Sequence, residues 1–154
     1  MHGQAHDALA LSASLILLQI GIFALVAFGV VPPLISRMTG WADLARRFPF
    51  SSAFHGLKWN FQSAQMRHWA NYNNCLTVGA NTEGLYLKAP WILRAHPPLF
   101  IPWQEISMSE TKILFRPMIR LELGCEQPVP FTIRESLADQ IKHAAGNGWP
   151  VEHL

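Results

Sequence analysis

The pattern of apolar and polar positions begins with one continuous apolar run. Ala8 to Ser36 is 29 residues without a formal charge, and its apolar core extends from Leu9 to Val31. A helix over that core rises about 1.5 Å per residue and is roughly 34 Å long, which is enough to cross the hydrocarbon core of a bilayer with some tilt. The pattern therefore predicts a single transmembrane helix over residues 8–36, after a short tail over residues 1–7.

A cleaved signal peptide is the alternative interpretation of the same run. The stretch before the run contains no Lys or Arg, and the run is longer than the apolar region of a signal peptide, so a retained span is favoured. Pro32 and Pro33 predict the point where the helix loosens or stops, because proline lacks the backbone N–H and clashes with the preceding turn.

Helical spacing continues briefly after the run, in a segment over residues 37–53. Three apolar residues lie at i, i+3 and i+7 on one face of a short helix from Thr39 to Phe48, namely Trp41, Leu44 and Phe48. Tryptophan and arginine near the end of a span are typical of the membrane interface. The segment is therefore either an interfacial helix followed by a linker, or an ordinary connector helix packed on the next domain.

From Gly56 onward the apolar residues recur at every second position, which is typical of half-buried strands. The pattern predicts about seven strands: Leu57–Gln62, Cys75–Ala80, Leu85–Lys88, Leu99–Ile106, Lys112–Phe115, Met118–Leu123 and Val129–Ile133. Asn81 to Gly84 predicts a hairpin loop, Pro102 predicts a bulge or edge, and Ser107 to Thr111 predicts a solvated turn beside Glu105 and Glu110.

One amphipathic helix completes the predicted domain over residues 54–146. Two capping-box spacings, from Thr132 and from Ser136, place its beginning in one short window. Its apolar stripe contains Leu137, Ile141 and Ala144 or Ala145, and Gly146 supplies the stop. Residues 147–154 are predicted to be a loose tail that Trp149 can attach to the domain.

The predicted fold is mainly β, with an N-terminal transmembrane helix and one C-terminal α-helix. About seven antiparallel strands in so few residues favour a barrel or an orthogonal sandwich, and the last helix can plug one open end. This arrangement resembles the pleckstrin-homology-like fold over roughly residues 55–146. Two stretches, Leu76-Thr77-Val78 with Glu83-Gly84-Leu85-Tyr86-Leu87 and Leu99-Phe100-Ile101-Pro102-Trp103-Gln104-Glu105-Ile106, resemble those of bacterial membrane-anchored members.

The N-terminal part, one span followed by Gly-Trp-Ala-Asp-Leu-Ala-Arg-Arg-Phe-Pro over residues 40–49, is similar to small bacterial single-span membrane proteins. All 12 Lys and Arg residues follow the run, with nine of the ten acids. Because Lys and Arg stay cytoplasmic, we expect the N-terminus outside and the β domain in the cytoplasm, at a bacterial inner membrane. The net charge of about +3 after the run is too small and too scattered for a nucleic-acid surface.

The residues give no catalytic or metal-binding pattern. The carboxylates are single, and none of His55, His68 and His96 has metal-ligand spacing. Cys75 and Cys125 form no CxxC pair and are expected to be reduced thiols, with a disulfide as the alternative if the β domain lies outside. We therefore expect no enzyme, no cofactor, no metal and no small-molecule substrate.

Three functions stay open from the sequence. The first is a membrane-anchored scaffold or accessory module that binds a membrane protein or a second copy of itself, with Gln19, Trp91 and Ile92 as contact candidates. The second is recognition of anionic lipid headgroups by interfacial residues, for which the candidates are Arg37, Trp41, Arg46, Arg47 and Lys58. The third is an enzyme whose site is assembled from residues distant in sequence.

Overall fold

A computed structural model describes the backbone of residues 2–113 and 116–150, and the side chains of residues 12–111 and 116–150. The predicted tail residues beyond 150, and Phe115 in the predicted fifth strand, lie outside the described residues. The chain divides into two compact units, Met1–Ile35 and Ser36–Leu154.

The first unit is helical. Helix α1 (His2–Leu25) is followed by a π-helical turn (Val26–Val30), and helix α2 (Val31–Thr39) continues from it into the second unit. The two prolines do not stop the helix. Since they provide no N–H for the carbonyls four residues back, the winding widens just before them, and Val31 donates its N–H to the carbonyl of Val26. The helix over Ser12–Thr39 is long enough and apolar enough to cross a membrane.

The second unit is built on a seven-stranded antiparallel sheet that curls into a half-barrel. Its strands are β1 (Leu57–Met66), β2 (Ala70–Ala80), β3 (Gly84–Lys88), β4 (Leu99–Pro102), β5 (Ile106–Ile113), β6 (Arg116–Leu123) and β7 (Val129–Arg134). The strand order is β4-β3-β2-β1-β7-β6-β5, so two meanders join where β1 pairs with β7.

The connection between β4 and β5 explains the curl. These two strands form the opposite edges of the sheet, and only a 3₁₀ turn, Trp103–Glu105, lies between them. A flat sheet of seven strands is about 29 Å across, whereas a connection of this length spans at most about 14 Å. The edges must therefore approach each other, and the Gly124 N–H at the end of β6 bonds the carbonyl of Glu105 in that connection.

Three sequence predictions about the strands were wrong in detail. The predicted strand Leu99–Ile106, interrupted at Pro102, is two strands, because the chain leaves one edge of the sheet at Pro102 and joins the other at Ile106. The edge predicted at Pro102 is confirmed. The predicted turn Ser107 to Thr111 is part of β5, which alternates through Ile106 and Met108 opposite buried residues of β6. β1 and β2 extend four and five residues further than predicted, to a turn at Arg67–Trp69.

Helix α4 (Glu135–Ala145) covers the inner side of the half-barrel against β2, β6 and β7. Its buried residues are Leu137, Ala138, Ile141 and Ala145, close to the predicted stripe, and Gly146 ends it at φ +55° as predicted. Neither predicted capping box forms. The residue before the helix is Arg134, whose side chain makes no capping hydrogen bond.

Helix α3 (Trp41–Arg47) follows Gly40 and packs into the core of the β domain. Trp41 and Leu44 are completely buried, and Phe48 packs partly against the same core. The apolar face that suggested an interfacial helix is therefore turned to protein, and Trp41 is withdrawn as a candidate for contact with lipid headgroups. The connector helix, which was the alternative, is what the structure contains.

Candidate functional site

One end of the β domain is assembled around the segment Ser36–Arg47, and we call it the Ser36 end. Three connections between strands meet this segment: the β1–β2 turn over residues 67–69, the β3–β4 loop over residues 89–98, and the β6–β7 turn over residues 124–128. At least one hydrogen bond joins each to the segment. Arg67 Nη2 donates to Asp43 Oδ2 (3.3 Å), Ser36 Oγ donates to the Ala95 carbonyl (2.7 Å), and Arg47 Nη2 donates to the Gln127 carbonyl (2.9 Å).

Trp41 fills the interior of the Ser36 end. Its indole Nε1 donates to the Pro97 carbonyl at 2.9 Å, so the polar atom of a fully buried side chain has a partner. Its ring lies 5.1 Å from the His96 ring and 5.9 Å from the Tyr72 ring. A single side chain from α3 thus holds the β3–β4 loop against β2.

Tyr72 and His96 form a buried polar pair beside Trp41. The Tyr72 hydroxyl and His96 Nε2 are 3.0 Å apart, and only 4% of His96 is exposed. Burial lowers the pKa of His96 from 6.5 to about 4. Burial also raises the pKa of Tyr72, while a hydrogen bond with Thr39 acts in the opposite direction. At neutral pH both groups are uncharged. The pair is therefore a neutral hydrogen bond that holds the β3–β4 loop in place.

The surface of the Ser36 end carries three exposed apolar side chains. Trp91 is 79% exposed, Trp69 is 51% exposed and Ile92 is 49% exposed. Two consecutive turns hold the tip of the β3–β4 loop, because Leu93 donates its N–H to the Pro90 carbonyl and His96 donates its N–H to the Leu93 carbonyl. Hydrogen bonds within the β3–β4 loop therefore fix the backbone that carries the exposed Trp91 and Ile92.

The five predicted lipid contacts do not form one patch. Arg37 and Arg46 are exposed at the Ser36 end, whereas Arg47 is partly buried against the β6–β7 turn. Lys58 lies near the other end of β1, 5.5 Å from the centre of the Phe54 ring. It is eight residues from Met66, about 26 Å along the strand, so it cannot join the arginines in one headgroup site.

The predicted partner contacts are all exposed. Gln19 lies on the exposed surface of the first unit, and Trp91 and Ile92 lie on the β3–β4 loop. Gln19 belongs to the first unit, and Trp91 and Ile92 belong to the second.

An exposed apolar stretch on β1 was missed from the sequence. Leu57 is 57% exposed and Phe61 is 79% exposed. A bulge shifts the register between Trp59 and Gln62, and it places Phe61 in the left-handed region at φ +57°. Regular alternation would have put Phe61 on the same face as Leu57 and Trp59, and no local residue signals the bulge.

β1 is also incompletely paired. Within the described part of the sheet, β7 pairs with β1 only through Ala64, Gln65 and Met66, so the first half of β1 has a neighbouring strand on one side only, which is β2. The exposed Phe61 lies in that half. The exposed apolar side chains of Leu57 and Phe61 therefore lie on a part of β1 that is unpaired on one side.

The other concave and titratable features carry less chemistry. An open groove of about 790 Å³ runs over β1, β2 and the beginning of α4, and its polar lining includes Gln65, Asn71, Asn73, Arg116 and Arg134. Cys75 and Cys125 are free thiols. Among the described residues, no group of three or more His, Cys, Asp or Glu side chains is placed to hold a metal ion.

The comparisons with known proteins give no relative from which a role could be transferred. No protein-family model, no curated protein and no solved structure matches this chain. Function is therefore inferred from the two exposed apolar features, the Ser36 end and the first half of β1.

Proposed function

We propose that this protein is a membrane-anchored, non-catalytic accessory module that binds a protein partner beside the membrane. The helix Ser12–Thr39 supports the anchoring. The Lys and Arg residues, which all follow the apolar run, support a β domain in the cytoplasm of a bacterial cell. The curled seven-stranded sheet with its C-terminal helix supports the pleckstrin-homology-like fold.

The observation that carries partner binding is the exposed phenyl ring of Phe61 at a sheet edge. A left-handed backbone costs a residue other than glycine about 1–2 kcal/mol, and a ring that is 79% exposed recovers little of that by burial. Asn or Gly would fit the same bulge at lower cost. A bulky ring held in this conformation is explained if a partner covers it.

The incomplete pairing of β1 indicates the form of the partner. A sheet edge presents backbone donors and acceptors to an added strand, and neighbouring apolar side chains then select the sequence of that strand. We therefore propose an extended segment of another membrane protein along the first half of β1, with Leu57 and Phe61 as the side-chain contacts. Tethering both proteins to one membrane raises their effective concentration for each other.

The test is a crosslinked pull-down of the full-length protein from its native membrane in mild detergent. We expect one stoichiometric partner, which Phe61→Ser loses. The matched control is Trp91→Ser, because Trp91 has the same exposed fraction of 79% and lies on another loop. The control variant should retain the partner in detergent.

Three results would contradict the proposal. A protein that purifies alone, with no crosslinked neighbour, has no partner. A partner retained by Phe61→Ser binds elsewhere. A crosslink only to a second copy of the chain would replace the distinct partner by a homo-oligomer.

A further inference from the structure

We propose that the Ser36 end is itself a membrane-contact surface, on which Trp91, Ile92 and Trp69 lie in the headgroup layer of the bilayer. This inference rests on the proposed membrane anchoring. It assigns the β3–β4 loop to lipid, and it leaves the first half of β1 for the protein partner.

The chain between the apolar core of the span and Ser36 is short. Ser36 follows Val31, the end of the apolar core, by five helical residues, which is about 7.5 Å of helix. The headgroup layer on each side of a bilayer is about 5–7 Å thick. Ser36 therefore lies close to the bilayer surface in any orientation of the two units, since the chain between them is this short.

A hydrogen bond joins Ser36 directly to the β3–β4 loop. Ser36 Oγ donates to the Ala95 carbonyl at 2.7 Å, and Trp91 is four residues from Ala95. A chain of that length reaches at most about 14 Å, so the Trp91 ring is within reach of the headgroup layer. The Trp41 bond to Pro97 holds the other side of the loop, so the loop stays beside Ser36.

The exposed side chains of the Ser36 end have the chemistry of the bilayer interface. Tryptophan is enriched at membrane interfaces because its ring is apolar and its indole N–H remains able to bond water or headgroups. Arg37 is exposed on the segment Ser36–Arg47, and Arg94 is exposed on the β3–β4 loop. Both can contact lipid phosphates there. Exposed tryptophan and isoleucine beside arginine match the bilayer interface in composition.

Quenching of tryptophan fluorescence by brominated phospholipids tests this inference. The full-length protein is reconstituted in vesicles, with bromines carried near the top of the acyl chains. A Trp91→Phe, Trp69→Phe double variant is compared with Trp59→Phe, because Trp59 is a half-buried residue of β1 away from the Ser36 end. Phenylalanine preserves the apolar contact and removes the emission.

We expect brominated lipid to quench the wild-type protein and the Trp59→Phe variant to a similar degree, and the quenched fraction to fall severalfold in a Trp91→Phe, Trp69→Phe double variant. An equal quenched fraction in the double variant would overturn the inference. Alkaline carbonate extraction of the same vesicles separates the two proposals. Protein that is extracted refutes the membrane anchoring, whereas protein that is retained but not quenched at Trp91 and Trp69 refutes only the docking of this surface.

Discussion

Lowering the pH from about 8 to about 4 is expected to destabilise the β domain, because His96 is buried as a neutral imidazole. The pKa of His96 falls from 6.5 to about 4 through desolvation, and its Nε2 already takes part in the bond with the Tyr72 hydroxyl. Protonation in place would bury a charge away from water, with Nδ1 lacking a hydrogen-bond partner. The folded state therefore resists the proton that the unfolded chain accepts.

The direction and the size of the effect follow from proton linkage. Above pH 6.5 neither state is protonated at His96, so its contribution to stability is complete. Between 6.5 and about 4 only the unfolded state gains the proton, and the free energy of unfolding falls. The shift corresponds to about 3 kcal/mol at most, at about 1.36 kcal/mol per pH unit.

Glu122 acts in the opposite direction as the pH falls. Burial, its largest influence, raises the pKa of the Glu122 carboxyl against the attraction of Arg120 and His68. The folded state then takes up that proton before the unfolded chain does, which stabilises the fold as the pH falls. The pH profile of the wild type alone therefore mixes both groups, and a variant at His96 is needed to separate them.

The assay is thermal unfolding of the full-length protein in detergent, followed by near-ultraviolet circular dichroism between about pH 8 and pH 4. His96→Gln keeps an acceptor for the Tyr72 hydroxyl and removes the titration. We expect the wild type to lose about 3 kcal/mol more than the variant as the pH falls. Identical pH slopes in the two proteins would refute the burial of a neutral His96.

Other substitutions test the Ser36 end and the bulge in β1. Trp41→Ala should lower the free energy of unfolding by about 3–5 kcal/mol, whereas Trp91→Ala should change it by less than about 0.5 kcal/mol, as chemical denaturation would show. Gly40→Ala should cost about 1–2 kcal/mol in the same measurement, because φ is +84° and the added Cβ would lie 2.7 Å from Arg67 Nε. Phe61→Asn should raise the unfolding temperature and weaken partner binding, and a variant less stable than the wild type would contradict the strain assigned to Phe61.

Periodicity predicted the elements whose surroundings are uniform along their length. β7 buries Val129, Phe131 and Ile133, which are the alternating positions, although Thr132 is buried as well, and the hairpin from β2 to β3 turns close to where Asn81 to Gly84 predicted it. Helix α4 buries one stripe and ends at Gly146. In these elements one face meets the core throughout, so the sequence pattern and the burial coincide.

Prediction failed where the environment changes within an element. An apolar helix face does not distinguish lipid from protein, so the sequence left both open for Trp41 and Leu44, which the structure buries in the β domain. The bulge at Phe61 reverses the alternation of β1, and no residue type marks it. Pro102 indicated a break but not that the chain crosses to the opposite edge of the sheet.

The Ser36 end could not be read from the sequence because distant segments form it. The Ser36 bond to Ala95 joins residues 59 apart, and the Trp41 bond to Pro97 joins residues 56 apart. His96 was a single histidine without ligand spacing, and only the fold shows that it pairs with Tyr72. The exposure of Trp91 likewise depends on the loop that these bonds hold.

Native mass spectrometry of the full-length protein, released from its own membrane without overexpression, tests the proposed accessory role most directly. We expect a complex of this chain with one other membrane protein in a fixed ratio, and its loss when Phe61 is replaced by serine. A single chain that carries only lipid and detergent would contradict the account.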